Sequence, residues 1–269
     1  MKLKIYGSKG SVAFFCRSNL EHGGNTACAA LDIDGHIVLL DCGSGIMQFY
    51  NDMKDSFKDG FKFDVLLSHL HLDHIIGFST FGPILSPDSD IRIFTKSRND
   101  SALLSQVFGI FKPPYWPIDI AELTFAKAVD ITGMESFLLS DKIKVTPFWS
   151  EHHNETIAFR VDADKSLVYL LDYEINANSN KYDDLICLCK NADLVIMDAT
   201  YLPEDYPPRR GWGHSTFEDG IALAESSGCK KMVFSHICQD YSDEVLNATG
   251  IKLDRAKYAF AFDGMELEV

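Results

Sequence analysis

The stretch Ser68-His69-Leu70-His71-Leu72-Asp73-His74 constrains this chain more than any other. It sets three imidazoles and a carboxylate within six positions, drawing on only nine histidines in 269 residues. Directly before it runs Phe63-Asp64-Val65-Leu66-Leu67, which has the length and residue types of a buried strand. The ligand-type side chains therefore fall where a strand ends and a loop begins. The strand fixes the start of the loop, and the loop can curl its side chains around a cation. Imidazole and carboxylate together suit Zn²⁺, with Mn or Fe as alternatives. In a loop that curls back, His69 and His71 can face one side while Asp73 and His74 face another, an arrangement that suits two adjacent ions. Two competing readings are solvated surface histidines and a structural zinc. Structural zinc sites are usually closed and Cys-rich, and the nearest cysteine, Cys42, lies in another segment.

The rest of the chain reads as many strands with interspersed helices. Lys2–Tyr6, Ala27–Ile33 and His36–Leu40 read as strands, the last two joined by an Asp34-Gly35 turn. Asp41-Cys42-Gly43-Ser44-Gly45 then turns tightly into a helix near 46–53. Ile91–Thr95 reads as a strand and 99–111 as a helix. Between Phe78 and Trp149 the signal is weakest, and the Pro113-Pro114-Tyr115-Trp116-Pro117 loop suits a wall over a site or a packed surface loop. Lys142–Phe148 and Thr156–Asp162 are strands flanking Glu151-His152-His153-Asn154. Leu167–Leu171 and Leu194–Met197 are buried strands that each run into an aspartate, Asp172 and Asp198. A carboxylate in that position is costly unless it is paired or bound to a cation. Tyr182–Lys190 and the segment through Ser226 have helical spacing, the latter capped by Ser215 or Thr216. Lys231–Phe234 leads to His236, and two short strands close the chain.

The His69–His74 stretch resembles the H-x-H-x-D-H signature of the metallo-β-lactamase superfamily, and Gly77 follows it as in that family. The second His is not Glu and the last residue is His rather than Arg. These features set aside the oxygen-reducing flavodiiron branch and the lactamases proper, and leave the hydrolase branch that includes ribonuclease Z and phosphodiesterases. Four further segments resemble ribonuclease Z in order. His152 stands six residues before Ala158-Phe159, where that family has a ligand His, with His153 as the alternative. Asp198-Ala199-Thr200 resembles its Glu-Ala-Thr segment, His214-Ser215-Thr216 its His-Ser-Thr motif, and Ser235–Tyr241 its final ligand segment, with Asp240 in place of Arg.

The resemblance implies an α/β four-layered αβ/βα sandwich with two mixed sheets, formed by residues 1–269 as a single domain. It implies two divalent metal ions, Zn first and Mn or Fe as alternatives. One would take His69, His71 and His152, the other Asp73, His74 and His236, with Asp172 bridging them. Asp41 would orient a ligand His, Asp73 a hydroxide, and His214, steered by Asp198, would donate a proton to the leaving group. The implied activity is metal-dependent hydrolysis of a phosphodiester. The alternatives are hydrolysis of a carboxylic ester, lactone or thioester at the same site, and a metal-binding regulator without turnover.

Charge bears on partners. A net charge of −14 disfavours a non-specific grip on nucleic acid. With no Gly/Lys-rich arm in the middle of the chain, it points to a small-molecule or short phosphodiester substrate and disfavours transfer RNA. No apolar window is long enough for a membrane span, and the start lacks a signal peptide's apolar region. Seven cysteines without framework spacing read as reduced thiols of a cytoplasmic protein. A homodimer is compatible with all of this.

Overall fold

Alternating side chains that are apolar on both faces recur along most strands, so each strand must be covered on both sides. The computed structural model, which describes residues 1–57, 60–99, 101–150 and 156–269, meets that demand with two sheets packed face to face and helices outside each. The first half supplies β1 (Lys2–Gly7), β2 (Cys28–Ile33), β3 (His36–Leu40), β4 (Lys62–Leu66), β5 (Asp90–Thr95) and β6 (Lys127–Asp130). The second supplies β7 (Phe137–Ser140), β8 (Ile143–Trp149), β9 (Ile157–Asp162), β10 (Ser166–Leu170), β11 (Leu194–Asp198), β12 (Met232–Ser235) and β13 (Tyr258–Phe260). A last strand, β14 (Glu266–Glu268), returns to pair antiparallel with β1.

The two sheets share one plan. The order is β14-β1-β2-β3-β4-β5-β6 in one and β13-β12-β11-β10-β9-β8-β7 in the other. Antiparallel pairing along β1-β2-β3 gives way to parallel pairing along β3-β4-β5-β6. Likewise β7-β8-β9-β10 is antiparallel and β10-β11-β12-β13 parallel. Both sheets are mixed.

Side-chain alternation assigns the layers. In β3, Val38 and Leu40 point into the core between the sheets while Ile37 and Leu39 face the helices. In β10, Leu167 and Tyr169 point inward while Val168 and Leu170 face outward. The first sheet's outer face is covered by α1 (Ile46–Met53), with α2 (Leu72–Ile75), α3 (Leu103–Val107) and α4 (Ile120–Leu123) contributing around it. The second is covered by α5 (Tyr182–Cys189), α6 (Phe217–Ser227) and α7 (Asp243–Gly250). This is the expected four-layered αβ/βα sandwich. A buried Leu or Phe contributes about 1.5–3 kcal/mol, so three such cores hold the strand ends as a rigid platform.

Some expectations shift. The helix read over 99–111 is only α3, and its N-terminal neighbour Ala102 makes no side-chain cap. The strands β6 and β7 and the helix α4 had no clear periodicity to reveal them. Phe111 and Trp116 pack into the helix-side core and Tyr115 is exposed, so the proline-rich loop is a packed surface loop. Asp64, buried in β4, is held by a bidentate Arg92 from β5 at 2.6 and 2.7 Å, and Arg92 also reaches the Leu139 carbonyl of the other sheet at 3.0 Å. All seven cysteines are free thiols. Among the described residues no helix is long and apolar enough to cross a membrane.

Candidate metal centre

The strands that end in polar residues, β3, β4, β10, β11 and β12, all deliver them to one edge of the sandwich. There β4 runs into a loop, His69 and His71 stand on that loop, and Asp73 and His74 lie in the first turn of α2. The expected plain loop thus gains a helical turn, with His71 at its N-terminal boundary. Asp172 stands two residues beyond the end of β10, His236 immediately follows β12, and Asp198 is the last residue of β11. Asp41, Asp172 and His236 adopt left-handed backbone, with φ of 57°, 50° and 58°. Such conformations cost non-glycine residues on the order of 1–3 kcal/mol and persist where the surroundings enforce them. Here they turn each side chain back over the sheet edge.

Three groups of ligand atoms converge: His69, His71 and Asp172; Asp73, His74 and His236; and Asp172, His214 and His236. His74 Nε2 lies 2.9 Å from Asp172 Oδ2 and 3.2 Å from His236 Nε2. His236 Nε2 is 3.1 Å from Asp73 Oδ2, and His69 Nε2 is 3.7 Å from Asp172 Oδ1. His71 is more exposed, its Nδ1 4.0 Å from Asp172 Oδ1. His152, and its alternative His153, lie outside the described residues.

The surrounding hydrogen bonds decide which ring nitrogens face the centre. Asp41 Oδ2 accepts from His74 Nδ1 at 2.7 Å, from the Ser68 hydroxyl at 2.8 Å and from Tyr169 at 3.0 Å, and Oδ1 accepts from the Ser68 amide at 2.7 Å. Because Ser68 donates to Asp41, its oxygen accepts from His69 Nδ1, 3.0 Å away. Thr200 Oγ1 lies 3.0 Å from His236 Nδ1 and donates to the His236 carbonyl at 2.8 Å. With the single proton on Nδ1, each of the three imidazoles would present the Nε2 lone pair inward to an ion. His69 Nε2 and Asp172 Oδ2 are buried with no hydrogen-bond partner among the described residues. Lone pairs of three imidazoles and two carboxylates pointed at one another fit a divalent cation, which would satisfy all of them at once. Without one, burial opposes charge on His74, but Asp172, Asp41 and Asp73 outweigh it and lift its pKa well above the usual range. Burial and the neighbouring His74 push His69 well below it.

Further residues hold the turn that carries Asp41. Asn25 Oδ1 accepts from the Ser44 hydroxyl at 3.0 Å, Thr26 Oγ1 from the Ser44 amide at 2.9 Å, and Ser44 Oγ from the Thr26 amide at 3.0 Å. These bonds latch the turn after Asp41 beneath the centre. A Cβ on Gly43 would lie 2.4 Å from the Asp73 carbonyl, so the turn can approach α2 only as glycine. Ser68, Tyr169 and Thr200 had no signal beyond their places beside recognisable residues.

His214 stands at the rim. Its Nδ1 lies 2.8 Å from Asp198 Oδ2, and its ring stacks on His236 at 5.1 Å between centroids. Asp198 is fully buried and also accepts from the amides of Asp172, Thr200 and Ser215. Burial lowers the His214 pKa, but the charge and hydrogen bond of Asp198 overcome it and bring it to about 9. Nε2 is left to face the site. Beyond Asp172, a cavity of about 710 Å³ opens between the 173–181 segment and the 206–211 segment.

A sequence profile described as beta-lactamase superfamily domain matches residues 36–237 of this chain. The chain belongs to the β-lactamase superfamily. It is, with the geometry above, a hydrolase of the metallo-β-lactamase type whose His/Asp clusters are able to hold metal. A ribonuclease Z from Bradyrhizobium diazoefficiens is 23% identical, over 89% of this chain and 93% of its own length. In fold, the chain is similar to the metallo-beta-lactamase fold protein YhfI from Bacillus subtilis, at 18% identity and a TM-score of 0.72 over 100% of this chain and 98% of that one. It is also similar to a diphosphatase from the PhnP family, at 21% identity and a TM-score of 0.70 over 100% and 97% of the two chains.

Proposed function

We propose that this metallo-β-lactamase superfamily member is a phosphodiesterase that works with two divalent ions, most simply Zn²⁺. His69, His71 and His152 would hold one ion, Asp73, His74 and His236 the other, with Asp172 shared. The donor set is hard to borderline, which Mn and Fe also suit. Bound ions of this kind supply Lewis acidity at a phosphoryl group and an acidified water.

The chain's own groups do the rest. Asp73 Oδ2 accepts from the Ser11 amide at 2.7 Å, which holds the carboxylate where it can orient a nucleophilic water. His214 is the proton donor. The observation that carries this reading is the Asp198–His214 pair, 2.8 Å apart and stacked against His236. A protonated imidazole with Nδ1 bound to a buried carboxylate presents Nε2–H to the oxygen that departs. Such an acid is most valuable for a poor alkoxide leaving group, as in a phosphodiester. The names of the similar proteins, a ribonuclease Z and a diphosphatase, agree with phosphate ester chemistry. That same name gives no support to setting transfer RNA aside on charge alone.

The test compares two substrates. His214→Ala should slow an alkyl phosphodiester by about 10²–10⁴-fold and a p-nitrophenyl diester only slightly, at unchanged metal content. Asp198→Asn should act in the same direction more weakly. Equal losses on both substrates would mean that His214 acts on binding or on the phosphoryl oxygens. A wild-type enzyme that cleaves no phosphodiester but opens lactones or thioesters would overturn the proposal in favour of carboxyl ester chemistry.

A further inference from the structure

Glu174 lies two residues beyond Asp172, in the lining of the cavity there. Its Oε1 accepts from the Tyr206 hydroxyl at 2.6 Å and the Gly211 amide at 2.7 Å, and its Oε2 accepts from the Gly213 amide at 2.9 Å. Gly211 and Gly213 have φ of 86° and 96°, conformations that glycine adopts without strain and that turn both amides towards the carboxylate. The other hydrogen bonds of residues 206–213 are local: Tyr206 to Leu202, Arg209 to Asp205 and Tyr206, and Trp212 to Arg209. Among the described residues, every longer-range hydrogen bond of this segment ends on Glu174. The segment leads directly into His214.

We infer that Glu174 is a positioning residue, which ties the loop presenting His214 to the strand end presenting Asp172. This rests on the reading of His214 as the proton donor. Asp198 holds one nitrogen of the imidazole and, through the Ser215 amide, the backbone that follows the ring; the backbone that precedes it is anchored by Glu174. A carboxylate that gathers three donors provides that anchor with charge-assisted bonds, stronger than neutral ones. Because Glu174 follows Asp172 by two residues, the distance from the ligand cluster to Nε2 of His214 becomes a property of one short, doubly anchored unit. The same carboxylate spans the cavity's two walls, so it also sets the spacing between Tyr173 and Tyr206.

The metal-loaded enzyme should be assayed on a series of phosphodiesters that differ only in leaving-group basicity. His214→Ala should steepen the dependence on leaving group relative to wild type. Glu174→Ala should steepen it in the same sense, with kcat on the poorest leaving group down about 10–100-fold, KM and metal content little changed, and a small effect on p-nitrophenyl esters. Glu174→Gln keeps a carbonyl for Tyr206 and Gly211 but sets an amide against the Gly213 N–H, and should fall between. The double variant with His214→Ala should be no slower than His214→Ala alone. A second readout is independent of turnover: the His214 Nδ1 proton, seen by NMR in ¹⁵N-histidine protein, should broaden or shift in Glu174→Ala. If His214→Ala steepens the dependence and Glu174→Ala does not, with the proton resonance intact, the inference about Glu174 is wrong and the His214 reading stands. If His214→Ala leaves the dependence unchanged, the proton-donor reading fails and this inference falls with it. A Glu174→Ala protein that loses all substrates equally, with a lowered melting temperature, would show a merely structural residue.

Discussion

Replacing Asp41 by Asn should weaken metal binding through proton placement alone. Asp41 sits at φ 57°, a conformation that Asn tolerates, so the backbone is not disturbed. The Ser68 amide, 2.7 Å from Oδ1, requires an acceptor there, which fixes the new amide's orientation. Its NH₂ then faces the three groups that now donate to Oδ2: His74 Nδ1, Ser68 Oγ and Tyr169 OH. The hydroxyls can rotate and accept. The imidazole can accept only by moving its proton to Nε2, the nitrogen that faces Asp172 at 2.9 Å and would ligate the ion. A rotated Ser68 hydroxyl also releases the orientation of His69. Loss of a hydrogen bond to a charged group costs about 1.5–3 kcal/mol, and loss of a ligand's supporting partner typically weakens metal binding about 10–100-fold. The two figures agree, since each factor of ten is about 1.4 kcal/mol. Competition of the wild-type and Asp41→Asn proteins against a chromophoric chelator, titrated with Zn²⁺, measures this directly. The Asn protein should bind its weaker ion about 10–100-fold less tightly. Zn²⁺ affinities within twofold of wild type for every ion bound would refute the argument that Asp41 decides the tautomer of His74.

Other expectations are as direct. His152→Ala should lower metal content and activity steeply while His153→Ala changes either little, as followed by metal analysis; the reverse would reassign the ligand. In Gly10→Ala the new Cβ would fall 2.4 Å from Cε1 and 2.5 Å from Nδ1 of His236, so the ring must move. Overpacking of this kind costs about 1–3 kcal/mol, and it should appear as metal binding weakened roughly tenfold or more; wild-type affinity would show that the loop yields instead. Arg92→Ala leaves the Asp64 carboxylate, with its side chain 3% exposed, without its bidentate partner. Stability by urea unfolding should drop by about 3 kcal/mol, and a loss well below about 1 kcal/mol would mean that His36, 2.8 Å from Asp64 Oδ2, or water satisfies the carboxylate instead.

The His/Asp stretch after β4, the aspartates after β10 and at the end of β11, and His236 after β12 stood out in the sequence because each is a local event, and the structure brings them to one edge. An apolar run of strand length that stops at a His or Asp needs no distant information to be recognised. The turn at Asp41 and a cap at Ser215 or Thr216 were legible for the same reason, and the structure settles the cap on Thr216, which bonds reciprocally with Asp219 at the start of α6. The region from Phe78 to Trp149 was poorly legible, because β6 and β7 are short, half-exposed edge strands with little alternation. What local pattern could not supply is convergence. His74 and His236 are 162 positions apart in the chain, and their rings come within 3.2 Å only because two sheets of matching plan stack with their strand ends on one edge. The tautomers set by Asp41, Ser68 and Thr200, and the grip of Glu174 on the glycine amides before His214, belong to that tertiary arrangement. Hydrogen bonds between distant segments depend on register and packing, and neither is written in the spacing of any one segment.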